Sequence, residues 1–168
     1  MDLLKFSERL MSMDDATWQR HSSPWSVYSR FTALPFISLA FYSREFLGTY
    51  ALIPILLSVI WVWLNPRLFN APASTYNWAS MGTFGERIYL NRKKVRLPSH
   101  HTNACQVLLV LQVLGLPIWL YGLYSLHIWP LVFSVAWLMV TKAWFVDRMV
   151  WLYLEMKDSD PVYQSWLK

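Results

Sequence analysis

The sequence has little charge and almost no cysteine, and each shortage narrows the class of protein. Only 15% of the 168 residues are charged, whereas 55% are hydrophobic, and soluble domains normally carry more charge than this. Cys105 is the only cysteine, so the chain cannot form an intramolecular disulfide. We expect it to pack as an ordinary core or lipid-facing residue. The length and composition together predict a single membrane domain over residues 1–168.

Motifs of several enzyme classes are also missing. The chain has no Gly-x-Ser-x-Gly elbow, no Walker-type phosphate loop and no His-x-x-x-His pair on an apolar run. The segment Gly82-Thr83-Phe84-Gly85 predicts no more than a turn. Charges interrupt every apolar cluster in residues 1–21, so a cleavable signal peptide is not predicted. That segment instead favours an N-terminal interfacial helix.

Four apolar runs dominate what is present. About 20 helical residues cross a hydrocarbon core of about 30 Å, and each run is near that length. A soluble helical protein would need polar helix faces, which these runs lack. We predict an all-α polytopic membrane protein with four transmembrane helices in two hairpins and a long cytoplasmic loop over 65–103. The spans cover residues 25–43, 47–64, 104–126 and 128–154.

The basic residues predict the orientation. The turn after the first run contains one basic residue, Arg44, beside Glu45, and the turn around His127 has no Lys or Arg. The N-terminal segment, the 65–103 loop and the C-terminal tail hold most of the others. The positive-inside rule then predicts cytoplasmic N- and C-termini. Within the loop, residues 78–91 favour a short interfacial helix, and residues 92–96 form a basic run that suits solvent or anionic lipid head groups.

Polar residues near the cytoplasmic side form the candidate site. Asp147 is expected to need a cationic partner inside the bundle, and Arg30 is the candidate. Cations outnumber carboxylates in this group, so we predict a pocket roofed by the loop and walled by Trp, which binds an anionic or quinone-like amphiphile. The ligand-binding candidates are Arg30, Glu86, Arg87, Asn91, His100, His101, Lys142, Asp147 and Arg148.

Other functions stay open. An interfacial enzyme would use His100 or His101 as a general base with an Arg-held substrate, and a small transporter or complex subunit is a further alternative. Adjacent histidines on a helix point about 100° apart, so no metal site is predicted. The one alternative to this is a metal site formed by His21, His100, His101 and Glu86. No cofactor is indicated. Membrane lipids are the expected partners, and nucleic acid is not, because basic residues flank apolar runs.

Several motifs resemble a known family. They are 20–27 (Arg-His-Ser-Ser-Pro-Trp-Ser-Val), 63–67 (Trp-Leu-Asn-Pro-Arg), 85–87 (Gly-Glu-Arg), 98–101 (Pro-Ser-His-His) and 144–151 (Trp-Phe-Val-Asp-Arg-Met-Val-Trp). They are similar to an uncharacterised family of small four-span prokaryotic membrane proteins, catalogued as a domain of unknown function. The resemblance implies a location in the inner (cytoplasmic) membrane. It carries no activity that could be transferred to these residues.

Overall fold

The computed structural model describes residues 15–168, and all regular structure in that part is helical, which confirms the all-α prediction. Of the surface helix predicted at the N-terminus, residues 1–14 lie outside the described part. The helices are α1 (Asp15–His21), α2 (Pro24–Phe31), α3 (Ala33–Tyr42), α4 (Arg44–Leu47), α5 (Leu52–Leu68), α6 (Trp78–Leu90), α7 (Ser99–Ser125), α8 (Ile128–Met156) and α9 (Pro161–Gln164), with 3₁₀ turns at Gly48–Ala51 and Lys157–Ser159.

Within residues 15–168, three helical stretches are long and apolar enough to cross a membrane: Pro24–Asn65, Ser99–Ser125 and Ile128–Ser159. Their outward faces carry large apolar side chains, such as Leu56, which is 61% exposed, and Val140, which is 64% exposed. Soluble monomers rarely expose apolar patches of more than a few hundred Å². The length of these stretches and their exposed apolar faces indicate a membrane location.

The first stretch folds back on itself near Gly48. This residue has a φ of +53°, a conformation that glycine adopts far more easily than other residues. Trp61 Nε1 donates a hydrogen bond to Thr32 Oγ1 at 3.4 Å, and Asn65 Nδ2 donates to Ser29 Oγ at 2.7 Å. Helix α3 therefore packs beside α5, and the two halves of the stretch form a helical hairpin.

Helices α7 and α8 form a second hairpin through Leu126, whose φ is +55°. Small residues let the two backbones approach closely. A Cβ atom at Gly122 would lie 2.8 Å from Leu131 N, and one at Gly115 would lie 2.7 Å from Trp137 Cδ1. Gly122 therefore permits a close approach to the backbone of α8, and Gly115 leaves room for the Trp137 side chain.

The two hairpin turns lie at the same end of the molecule. Arg44, just after α3, donates a hydrogen bond to the carbonyl oxygen of Leu123 near the end of α7. At the opposite end, Ser80 Oγ donates to the Ser22 carbonyl oxygen at 2.7 Å, and Thr75 N donates to the Lys168 carbonyl oxygen at 3.0 Å. Helices α1 and α6 and the C-terminal tail thus pack together at that opposite end.

Helix α6 confirms that residues 78–90 are helical, and it packs into the bundle against α8. Ile88 and Tyr89 on α6 are buried in the same core as Met149 and Leu152 of α8. The turn predicted at residues 82–85 is wrong, because those residues lie within α6. A Cβ atom at Gly85 would overlap the backbone carbonyl oxygen of Met149, so the glycine is there to permit close helix packing.

Candidate functional site

A cleft of about 250 Å³ opens between α2, α6, α7 and α8. It brings together three of the predicted site residues from three helices: Arg30, Glu86 and Lys142. Helix α6 forms one wall, so the 65–103 loop does contribute to the pocket. The tryptophan walls that were expected are not among the described lining residues. Its polar lining consists of Arg30, Thr83, Glu86, Gln112 and Lys142.

Arg30 is fixed in this cleft by the helix that carries it and by α1. Its Nε donates to the Ser26 carbonyl oxygen at 2.9 Å, and its Nη2 donates to the His21 carbonyl oxygen at 3.0 Å. Its Nη1 also contacts Nε2 of the His21 ring. Each guanidinium nitrogen therefore has a partner, and the N–H groups that remain on the two Nη atoms are available to a ligand.

His21 is a member of this site that the sequence placed only in an alternative metal set. Its burial, together with the positive charges of Arg30 and Lys142, lowers the pKa of the ring well below the ordinary value of about 6.5. The ring is therefore neutral at pH 7 and accepts at Nε2, which puts its proton on Nδ1. This Nδ1 is buried and has no partner within the described part of the chain.

Lys142 is the second cation of the cleft. Its Nζ makes no hydrogen bond or ion pair within residues 15–168, and it lies 5.5 Å from the centroid of the Phe31 ring. Glu86 is near enough to both Lys142 and Arg30 to attract them. Among the described lining residues, two cations thus face one carboxylate, an arrangement that favours an anionic ligand.

An apolar groove continues from the polar cleft. This second cavity has a volume of about 190 Å³ and shares Arg30, Phe31 and Lys142 with the cleft. Its remaining lining residues come from α3, α5 and α8 and are all apolar. They are Ala33, Leu34, Ile37, Val62, Leu138 and Met139. The two cavities together offer a polar compartment and an apolar one, joined at the two cations.

Asp147 does not pair with Arg30, so that expectation is wrong. Trp78 Nε1 donates a hydrogen bond to Asp147 Oδ1 at 3.0 Å, and the Trp78 ring stacks on Tyr28. The reason is angular: five residues along a helix correspond to about 140° of rotation, so Asp147 and Lys142 point to different neighbours. The carboxylate thus fastens the start of α6 to α8.

Arg87 and Asn91 also lie outside the cleft. The Arg87 guanidinium lies 4.8 Å from the Trp166 ring centroid and 5.9 Å from that of Trp18. It lines a separate cavity of about 350 Å³ that the C-terminal tail helps to form. Asn91 caps α6, and its Nδ2 donates to the Arg87 carbonyl oxygen at 3.2 Å. These contacts give Asn91 a local structural role.

His100 and His101 converge on Glu155, which the sequence analysis did not connect with them. Their Nε2 atoms lie 3.1 Å and 2.9 Å from the same carboxylate oxygen, Glu155 Oε2. The two rings meet one carboxylate although adjacent positions on a helix point about 100° apart, because the Glu155 side chain reaches both of them from α8. Arg148, another of the predicted site residues, is half-buried, and its charge is near enough to act on His101.

The histidine group is separate from the cleft. Glu155 lies thirteen residues after Lys142 on α8, which is about 20 Å along the helix axis. The residues of the alternative metal site therefore lie in two places. His21 contacts Arg30 and Glu86 lines the cleft, whereas His100 and His101 contact Glu155. In the described part of the chain, no site combines a histidine base at position 100 or 101 with a substrate held by Arg30.

Comparison with known proteins gives a family and no activity. No curated protein and no solved structure matches the chain. One family model matches residues 7–166, which is most of the chain. The match confirms the resemblance to a domain of unknown function, and it gives neither a number of membrane spans nor a source organism. The chain belongs to DUF6653, a family of unknown function.

Proposed function

We propose that this protein binds an anionic amphiphile, with the head group in the cleft between Arg30 and Lys142 and the chain in the adjoining apolar groove. The observation that carries the proposal is Lys142, a cation inside an apolar helix with no hydrogen-bonding or ionic partner in the described part. An unpaired cation at membrane depth is costly. An anionic head group beside Lys142 and Arg30 reduces that cost.

The lining of the cleft favours an anionic head group over a quinone-like one. A neutral quinone carbonyl needs only hydrogen-bond donors, and the Gln112 amide or the Lys142 ammonium supplies them. Two cations beside one carboxylate instead favour net negative charge on the ligand. The alternatives, an interfacial enzyme and a small transporter or complex subunit, have no comparable observation in their favour.

We infer that the protein crosses a prokaryotic inner membrane four times, with both termini in the cytoplasm. The hydrogen bonds that fold Pro24–Asn65 into a hairpin support two crossings in that stretch. The clustering of the basic segments at the end opposite the turns supports the orientation. Arg30 lies six residues after Pro24, about 9 Å into the helix, so the proposed cleft lies inside the membrane, in its cytoplasmic half.

Cysteine labelling tests this topology. Because Cys105 is the only cysteine, a Cys105→Ala background allows single-cysteine variants Glu45→Cys, His127→Cys and Lys93→Cys. We expect a membrane-impermeant maleimide to label the first two in intact cells and to label position 93 only after the membrane is opened. Labelling at position 93 in intact cells, or protection of positions 45 and 127, would contradict the proposed orientation.

Lipid analysis of the purified protein tests the proposed ligand. In mild detergent, the wild type should retain an anionic amphiphile at a level above its share of the membrane extract, as read by native mass spectrometry. Lys142→Met should lower the retained amount about 10- to 100-fold, which corresponds to one charged hydrogen bond of roughly 1.5–3 kcal/mol.

The matched control for this experiment is Lys94→Met, which removes an exposed cation on the 65–103 loop and should leave retention unchanged. Equal retention by the wild type and Lys142→Met would show that the amphiphile does not bind at the cleft. Recovery of the wild type with no enriched amphiphile would refute the proposed function itself.

A further inference from the structure

We propose that His100, His101 and Glu155 form a binding site for a divalent transition-metal ion such as Zn²⁺. The site is independent of the proposed amphiphile cleft and lies about 20 Å from Lys142 along α8. Its members come from the first turn of α7 and the last turn of α8, two helices held together by the extensive packing of their hairpin.

The donor atoms are already close to the spacing that a metal requires. One possible ligand atom from each of the three side chains lies within 4.8 Å of the other two. Zinc binds imidazole and carboxylate at roughly 2.0–2.2 Å with tetrahedral geometry, so its donor atoms lie about 3.3 Å apart. The observed Nε2–Oε2 distances of 3.1 Å and 2.9 Å reach that value with shifts of a few tenths of an ångström.

The burial of His101 holds its ring in the position from which Nε2 contacts Glu155. His101 is 2% exposed, and its Nε2 faces the Glu155 carboxylate. Burying an imidazole is unfavourable unless its nitrogens are bonded. A hydrogen bond to an exposed carboxylate offsets little of that cost, whereas a metal–nitrogen bond at Nε2 offsets much more of it.

The ligand types specify the class of metal. Imidazole nitrogen favours Zn, Cu, Ni and Fe over Mg and Ca, which prefer all-oxygen sites. Two histidines and one glutamate are three protein ligands, which leaves a fourth tetrahedral position unfilled. Because the side chains of His100 and Glu155 are 61% and 47% exposed, that position faces solvent and is open to water or an anion.

Metal titration of chelator-stripped, tag-free protein tests the site. Co²⁺ binding is followed through its visible d–d absorption, and Zn²⁺ is then added as a competitor. We expect one ion per chain in the wild type. His100→Ala and Glu155→Gln should each weaken binding about 100-fold or more, because losing even an outer-shell partner costs about 10- to 100-fold.

Two controls separate metal binding from folding and from the proposed function. His127→Ala removes a histidine from the opposite end of the bundle and should bind Co²⁺ as the wild type does. His100 and Glu155 are exposed, so their metal-free variants should keep the wild-type melting temperature. The proposal would be overturned if His100→Ala and Glu155→Gln both bound Co²⁺ with wild-type affinity, or if the wild type bound no stoichiometric Co²⁺. Lys142→Met, which changes the proposed amphiphile cleft, should leave metal binding intact.

Discussion

Replacing Gly85 with alanine is expected to lower the free energy of unfolding by about 3 kcal/mol or more, the upper end of the range for overpacked cores. The added Cβ would overlap the backbone carbonyl oxygen of Met149 on α8. A backbone atom cannot rotate away, so α6 must move off α8. That shift would open the core around Ile88 and Leu152 and displace the cleft wall that carries Glu86.

Gly82→Ala is the matched control, because it adds the same methyl group to the same helix one turn earlier. Its Cβ would lie 2.6 Å from Val146 Cγ1, the tip of a side chain that can change rotamer. We expect a cost of roughly 1 kcal/mol, read as a smaller decrease in melting temperature in detergent. Equal decreases for the two variants would contradict the close approach of α6 to α8 at Gly85.

Arg30→Met is expected both to destabilise the fold and to abolish retention of the amphiphile. The substitution removes donors to the carbonyl oxygens of His21 and Ser26 and to the buried His21 ring. Charged hydrogen bonds contribute roughly 1.5–3 kcal/mol each, and the unpaired acceptors add a desolvation cost. We expect a total loss of at least about 3 kcal/mol in the free energy of unfolding, measured by thermal melting in detergent.

Lys142→Met provides the comparison that separates the two effects of Arg30. Lys142 Nζ has no hydrogen-bonding or ionic partner in the described part, so its replacement should lower retention about 10- to 100-fold with little change in melting temperature. If Arg30→Met retained both the wild-type melting temperature and the amphiphile, Arg30 would have neither of the roles assigned to it.

The helical class and the apolar stretches could be predicted from the sequence because they depend on local composition. Runs such as residues 104–126 have no polar face, and that pattern is typical of a membrane span. The apolar runs on either side of Arg44 are each long enough for one crossing, so the sequence also predicts that the chain folds back between them. Positions along the helices predicted similar depths for Arg30 and Lys142, but depth did not tell which of the nine candidates would share a cleft.

The remaining features depend on which helix faces meet, and the sequence does not specify that. Gly82 and Gly85 predicted a turn because glycine weakens an isolated helix, whereas here they permit contact with α8. Asp147 was assigned to Arg30 by depth alone, but its direction on α8 leads to Trp78. The pairing of His101 with Glu155 joins residues fifty-four positions apart, and no local pattern marks it.

A density map of the protein in a lipid nanodisc, purified without removal of native lipid, tests the central claim most directly. The predicted result is four helical crossings and an amphiphile in the cleft, with its head group within hydrogen-bonding distance of Lys142 Nζ and Arg30. Its chain should follow the groove past Leu34 and Leu138. A cleft that holds only ordered water, with lipid bound elsewhere on the bundle, would contradict the proposed function.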